Sequence, residues 1–333
     1  MNARLFNLPP FLLLAALLAA PPIAAATSPP LATPTAKLLR IQMVTVGTDD
    51  VDRFRALYER WFDYRSAETG RLAPALARSW GAPASAGRAY ALLHSAGTPD
   101  VFLRVIDVDV PQPHRAMTTI GWSVIEFLVQ DPDAVYRHLL PSPFRHIGGP
   151  ANLGGGTSTI RATQFVGPAA VATYLTADTA PAARARLPRA GAFIDRPFIV
   201  VLATADADAS YRFYRQTFGL GGYAPSPTPV EPVNAALGLP ADQAIPLGLA
   251  TGAEPVNAIE FDGYPKASER PRAPGQLPPA FAMVSFAVRS LDGLDLDFIA
   301  PPAPLYDGRR AATFVGPAGE LTELIEVGAE GRW

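Results

Sequence analysis

No cysteine occurs among the 333 residues, so thiolate nucleophiles, disulfides and sulfur metal ligands are excluded together. Chemistry must rest on carboxylates, imidazoles, guanidinium groups, phenols and backbone. Four histidines are available. His94 falls at the end of a strand-like run and His114 in a Pro-flanked connection, while His138 sits in a helical stretch and His146 beside a Gly-rich loop. A catalytic zinc or redox iron wants two or three protein ligands including imidazole, with one coordination position open. Histidines this scattered read as structural or solvent-facing groups. The sequence has no Gly-x-x-x-x-Gly-Lys loop for phosphates, no Gly-x-Ser-x-Gly elbow and no His-Glu-x-x-His zinc helix. Gly154-Gly155-Gly156 lacks dinucleotide-loop spacing and reads as a hairpin. A formal charge of −2 does not suit a general nucleic-acid binder, which needs excess Lys and Arg to displace counterions.

The elements that must position these groups come in repeats. Phe165-Val166-Gly167-Pro168-Ala169 recurs as Phe314-Val315-Gly316-Pro317-Ala318. Leu57-Tyr58 with Trp61-Phe62 matches Phe213-Tyr214 with Thr217-Phe218, and Trp80-Gly81-Ala82-Pro83-Ala84 matches Leu237-Gly238-Leu239-Pro240-Ala241. These landmarks keep their order at separations of about 149 to 157 residues, as a duplication would place them. One copy spans 37–178 and the other 196–328. The Pro-punctuated segment 179–195, with Arg184, Arg186 and Arg189, reads as a solvated linker. Ahead of them, Arg4 and the apolar run from Phe11 to Ala20 lead to Ala24-Ala25-Ala26, the order of a signal peptide over 1–26. Residues 27–36 then form a flexible lead-in. About ten apolar residues are too few to span a bilayer, so the chain is expected to be exported, periplasmic or secreted, with no membrane span.

Each copy halves again. A strand at Leu39 to Val46 precedes an Asp-started helix whose Phe54, Leu57, Tyr58, Trp61 and Phe62 share one face, and short strands follow. A second unit begins at Ser123 to Val129 and turns at Asp131-Pro132-Asp133. The other copy repeats this from Phe198 to Leu202 and again from Phe281 to Val288. The expected class is α+β: four βαβββ units forming two curved-sheet domains in tandem. The helix aromatics are spaced to pack on a sheet, not to stack on a ligand.

This order, with the closing run Gly-Pro-Ala-Gly-Glu-Leu-Thr-Glu-Leu at 316–324, resembles the vicinal oxygen chelate superfamily, which includes glyoxalase I, bleomycin-resistance proteins and extradiol dioxygenases. The resemblance implies paired units around a cleft, with metal ligands on the first strand of a unit and a Glu on its last. The first-strand positions fall on Met43, Val124, Ile199 and Met283, none a usual ligand for a divalent metal. The last-strand positions fall on Arg104, Tyr174, Glu260 and Glu323. None of the four histidines aligns with a ligand position, which argues against an extradiol dioxygenase.

Two functions follow as expectations, and a third possibility is that one copy is structural and supports the other. The first is a small-molecule-binding protein, with the apolar cleft positions and Arg104, Glu126 and Tyr174 contacting the ligand. Glu126 shares the strand face of Val124; Arg104 and Glu126 read either as a buried ion pair or as groups recognising a ligand. The second is a lyase, isomerase or hydrolase in which Glu260 and Glu323 face one cleft, acting as acid and base or holding a divalent cation. No cofactor is otherwise implied. Partners are a small organic ligand and, by analogy, a second copy; monomer and homodimer both stay open.

Overall fold

A computed structural model describes residues 36–154, 157–254 and 256–328. The expected export segment, the lead-in up to residue 35 and the middle of the 154–156 hairpin lie outside them.

Four units follow one another. The first comprises β1 (Leu38–Thr48), α1 (Val51–Phe62), β2 (Arg65–Arg71), α2 (Pro74–Ser79), β3 (Ala89–His94) and β4 (Phe102–Asp107). The second comprises β5 (Gly121–Val129), α3 (Pro132–Leu139), β6 (Arg145–Asn152), β7 (Ile160–Val166) and β8 (Ala172–Asp178). The third contains β9 (Ile194–Thr204), α4 (Ala207–Phe218), β10 (Gly221–Pro229), α5 (Glu231–Leu237), β11 (Ala244–Thr251) and β12 (Ala258–Gly263). The fourth has β13 (Ala280–Val288), β14 (Ala303–Tyr306), β15 (Arg309–Val315) and β16 (Leu321–Glu326).

The strands form two curved eight-stranded sheets. The order in the first is β14-β15-β16-β13-β1-β4-β3-β2, and in the second β10-β11-β12-β9-β5-β8-β7-β6. Each sheet therefore takes one unit from each copy of the duplication: first with fourth, second with third. The 179–195 segment marks the repeat in sequence but does not separate the sheets. The segment is largely exposed, as a solvated linker would be, and is also tied down. Asp178 accepts from the backbone N–H groups of Ala180 and Arg186, Arg189 donates to the Asp178 carbonyl, and Leu187 is buried.

Helix starts follow local chemistry. Asp50, Asp131 and Asp206 each cap a helix by accepting a hydrogen bond from a first-turn N–H, and Pro132 occupies a position where no intrahelical N–H is needed. Gly219 ends α4 in the left-handed region at φ 64°. Phe54, Tyr58 and Phe62 repeat every fourth residue on α1, so one stripe faces inward. With Val135 and Leu139 of α3 and Tyr211, Tyr214 and Phe218 of α4, they pack against both sheets in one shared core. Ile125, Phe127, Val200 and Leu202 join that core, so the alternating Val124, Glu126, Ile199 and Val201 point to the other face.

The fourth unit has no helix among its described residues. Between β13 and β14, Leu291, Leu294, Leu296 and Phe298 pack on the shared core as an irregular chain. Their close spacing does not repeat every 3.6 residues, and Pro301-Pro302 follows directly.

Candidate functional site

The sheet faces turned away from the shared core are the two expected clefts, and they differ sharply. On the first, Arg104 of β4 stands beside Thr45 of β1, and Glu323 of β16 beside Ser285 of β13. Arg104 Nε donates to Thr45 Oγ1 at 3.0 Å, its Nη1 to the Tyr306 hydroxyl at 2.7 Å and its Nη2 to Glu323 Oε2 at 3.4 Å. Glu323 also accepts from Ser285 Oγ at 2.5 Å, from the Tyr306 hydroxyl at 2.8 Å and from Trp80 Nε1 at 2.7 Å. The Trp80 ring covers the guanidinium at 4.3 Å. Trp80 follows α2 directly, so that short helix delivers an indole onto the sheet. Met283, Leu321, Leu277 and Ile106 close around it. This face is sealed and internally neutral.

The second face is buried too, but it gathers acids. Glu126 lies opposite Tyr174 on β8 and Ile199 on β9; Glu260 lies opposite Val201, and Asp262 opposite Ala203. All three acids are at most 2% exposed. Glu126 Oε1 accepts from Thr176 Oγ1 at 2.5 Å. Among the described residues, Glu126 Oε2, Glu260 Oε2, Asp262 Oδ1 and the Tyr223 hydroxyl have no hydrogen-bond partner. Burial pushes the Glu126 carboxyl up to about 7, against the small lowering by Thr176. Burial also raises Glu260 well above the usual carboxylate range, and the neighbouring Asp262 and Glu126 raise it further; burial raises Asp262 too. Tyr174, Tyr223 and Tyr264 surround the acids. The Tyr174 hydroxyl reaches Met117 Sδ at 3.7 Å, and the Tyr264 hydroxyl lies 3.2 Å from Ser123 Oγ. Val124, Val201, Val230, Val233, Ile245 and Leu247 make the apolar walls.

Register makes the two faces residue-by-residue equivalents. Thr45 opposite Arg104 corresponds to Val201 opposite Glu260, 156 residues on. Ser285, opposite Met43 and Glu323, corresponds to Glu126, opposite Ile199 and Tyr174. Trp80 corresponds to Leu237 at the end of α5. The first face thus holds one cation, one anion and an indole donor, while the second holds acids in place of Arg104 and Ser285.

This placement corrects two expectations. Glu260 and Glu323 do not face one cleft, because β12 and β16 belong to different sheets. Arg104 does not pair with Glu126 for the same reason; its partner is Glu323. Met43, Met283, Val124 and Ile199 are buried on the expected faces. Asp262 has a signal in the sequence that the expected site leaves out: it lies two residues past Glu260, and period-two alternation puts both on one face. Trp80 and Leu237 appeared only as repeat landmarks. Tyr306, Tyr223 and Tyr264 carried no local signal.

The metal site of the related fold does not fit this chain. On the first face Arg104 supplies the positive charge and satisfies Glu323. On the second, among the described residues no three His, Asp or Glu side chains gather closely enough to hold an ion. A separate crevice of about 530 Å³ lies at the strand ends between the sheets, lined by Trp122, Asp206, Arg270 and Glu320. Its buried charges are already committed: Arg270 donates to Thr119 and to the carbonyls of Trp122 and Phe281, and Glu320 accepts from Tyr214. The buried carboxyl oxygens without a partner among the described residues lie on the second sheet face instead.

Glyoxalase I from Zea mays superposes with a TM-score of 0.57 over 86% of this chain and 92% of that one, at 15% identity. A Bacillus subtilis protein assigned as a dioxygenase gives 0.58 over 88% of this chain and 86% of its own, at 12% identity. No protein-family model matches the sequence, and none of the curated proteins does. The chain therefore has the vicinal oxygen chelate fold, with two glyoxalase-type sheets built from four units. Identities this low establish the fold alone. No helix among the described residues is long and apolar enough to cross a membrane.

Proposed function

We propose that the protein binds a small organic molecule on the outer face of the second sheet, while the corresponding face of the first sheet is a structural keystone. The observation that carries this reading is the contrast in hydrogen bonding. Arg104 and Glu323 are fully engaged by protein, whereas three acids and a tyrosine on the second face hold buried oxygens without partners. Buried polar groups cost about 1–3 kcal/mol each when left unpaired, and apolar walls with a few convergent polar groups are the usual form of a ligand site.

A second reading, proton-transfer catalysis, draws support from Glu126, whose carboxyl titrates near neutrality beside two further acids. In that reading Glu260 works with Glu126, not with Glu323. The order of residues at 1–26 supports an exported protein that meets its ligand in the cell envelope or outside.

Native mass spectrometry of the purified chain, followed by a fragment screen read by melting temperature, tests the binding reading. Hits lost in Glu260→Gln but kept in Tyr306→Phe support it. Hits that depend on Tyr306, or on neither residue, overturn it.

A further inference from the structure

We infer that the molecule bound on the second sheet face is an organic cation, an ammonium or guanidinium group carried on an apolar body. The inference rests on the binding reading above and names its ligand class.

The protein itself supplies the template. On the first face a guanidinium lies between carboxylate, tyrosine hydroxyl and hydroxyl oxygen, with an aromatic ring over it. At the equivalent strand position on the second face stands Glu260, with Asp262 in place of the apolar Ile106 and Glu126 in place of Ser285. The second face thus loses the cation and, at Val201 and Tyr174, the template's hydroxyl and carboxylate, and gains carboxylates at Glu126, Glu260 and Asp262 instead. The groups facing the acids are Tyr174 from β8, Tyr223 from β10 and Tyr264 after β12, all phenols. The charges that bear on Glu260 are Asp262 and Glu126, both acidic. Arg270, the nearest guanidinium to Tyr264, is spent on backbone carbonyls and Thr119.

Three features select an organic cation over a neutral or anionic guest. The acceptors without partners are carboxyl oxygens, which repel an anion once ionised and bind an N–H donor most strongly when it is charged. Aromatic rings suit a cation that is stripped of water. The acids do not gather tightly enough for a metal ion, and the walls Val124, Val201, Val233 and Leu247 are apolar, matching an organic body.

Binding should expel protons, because the acids hold them near neutrality and must ionise to meet the charge. The test uses the full chain with benzylamine, benzyl alcohol, benzoate and manganese chloride, read by calorimetry and by hydrogen exchange at 124–126 and 258–262. Benzylamine is expected to bind and to protect both strands. Its affinity should rise by up to about tenfold per pH unit for each proton displaced between pH 6 and 8. Glu260→Gln and Asp262→Asn should each weaken it at least about tenfold, the loss of one charge-assisted hydrogen bond.

Benzyl alcohol or benzoate binding as tightly as benzylamine overturns the inference while leaving the binding reading intact, as does manganese alone protecting the two strands. If no probe of any charge protects them, both fall. The comparison of probes on the unaltered chain stands even where a variant fails to fold.

Discussion

Arg104 and Glu323 lie 219 residues apart in the chain and 3.4 Å apart on the outer face of the first sheet, with the Tyr306 hydroxyl bonded to both. One belongs to the first unit and the other to the fourth. The pair therefore forms only when the two ends of the duplication close into a single sheet, and it is almost wholly shielded from water.

Removing one partner leaves the other charge buried and alone. Arg104→Met or Glu323→Gln should each cost about 3–5 kcal/mol in urea unfolding at pH 7. The double variant should lose less than the sum of the singles, by about 1–3 kcal/mol, since the second substitution removes an already orphaned group. Additive losses would show that the two residues are not coupled.

Trp80 fills the first face and donates to Glu323. Trp80→Ala should cost about 3–5 kcal/mol by opening a cavity and removing one of the donors to Glu323 Oε1. Free indole should restore part of the lost melting temperature. The same treatment of Leu237→Ala, which removes no donor, should show no recovery with indole.

Glu126 bears on stability with a definite sign. Its folded value of about 7 lies above the ordinary 4.5, so the native state holds a proton that the unfolded chain releases earlier. Stability from this group is fully present below about pH 4.5 and is lost as pH rises through about 7. Glu126→Gln should thus match the parent near pH 4 and exceed it at pH 8, by up to about 3 kcal/mol. Denaturation curves from pH 4 to 8 measure this difference, and a constant offset across the range would contradict it.

Asp195 accepts from Ser95 Oγ at 2.5 Å, from Thr98 Oγ1 at 2.9 Å and from the Gly191 N–H at 2.6 Å, tying the 179–195 segment to the loop before β4. Asp195→Ala should cost about 3 kcal/mol, as buried donors lose their acceptor. Trypsin should then cut faster at Arg184, Arg186 or Arg189. Unchanged cleavage would mean that Asp178 alone holds the segment.

Much of the architecture was legible because it is local. Capping aspartates at Asp50, Asp131 and Asp206, the every-fourth-residue aromatics of α1 and the alternation along β5 need only near neighbours in sequence. Asp262 was legible in principle, two residues beyond Glu260 on the same strand. The grouping of units was not: strands β1 and β5 carry similar patterns, and nothing within either says whether β13 or β9 will lie beside it. That choice separated Glu260 from Glu323 and joined Arg104 to Glu323.

The chain alone determined four repeated strand-rich units and the apolar side chains at Met43, Val124, Ile199 and Met283, since these follow from residue type and period. Tertiary structure decided which units share a sheet, and with it which charges neutralise one another. Electrostatic partnership depends on distances of a few ångströms, and those are set by long-range pairing that no local pattern encodes.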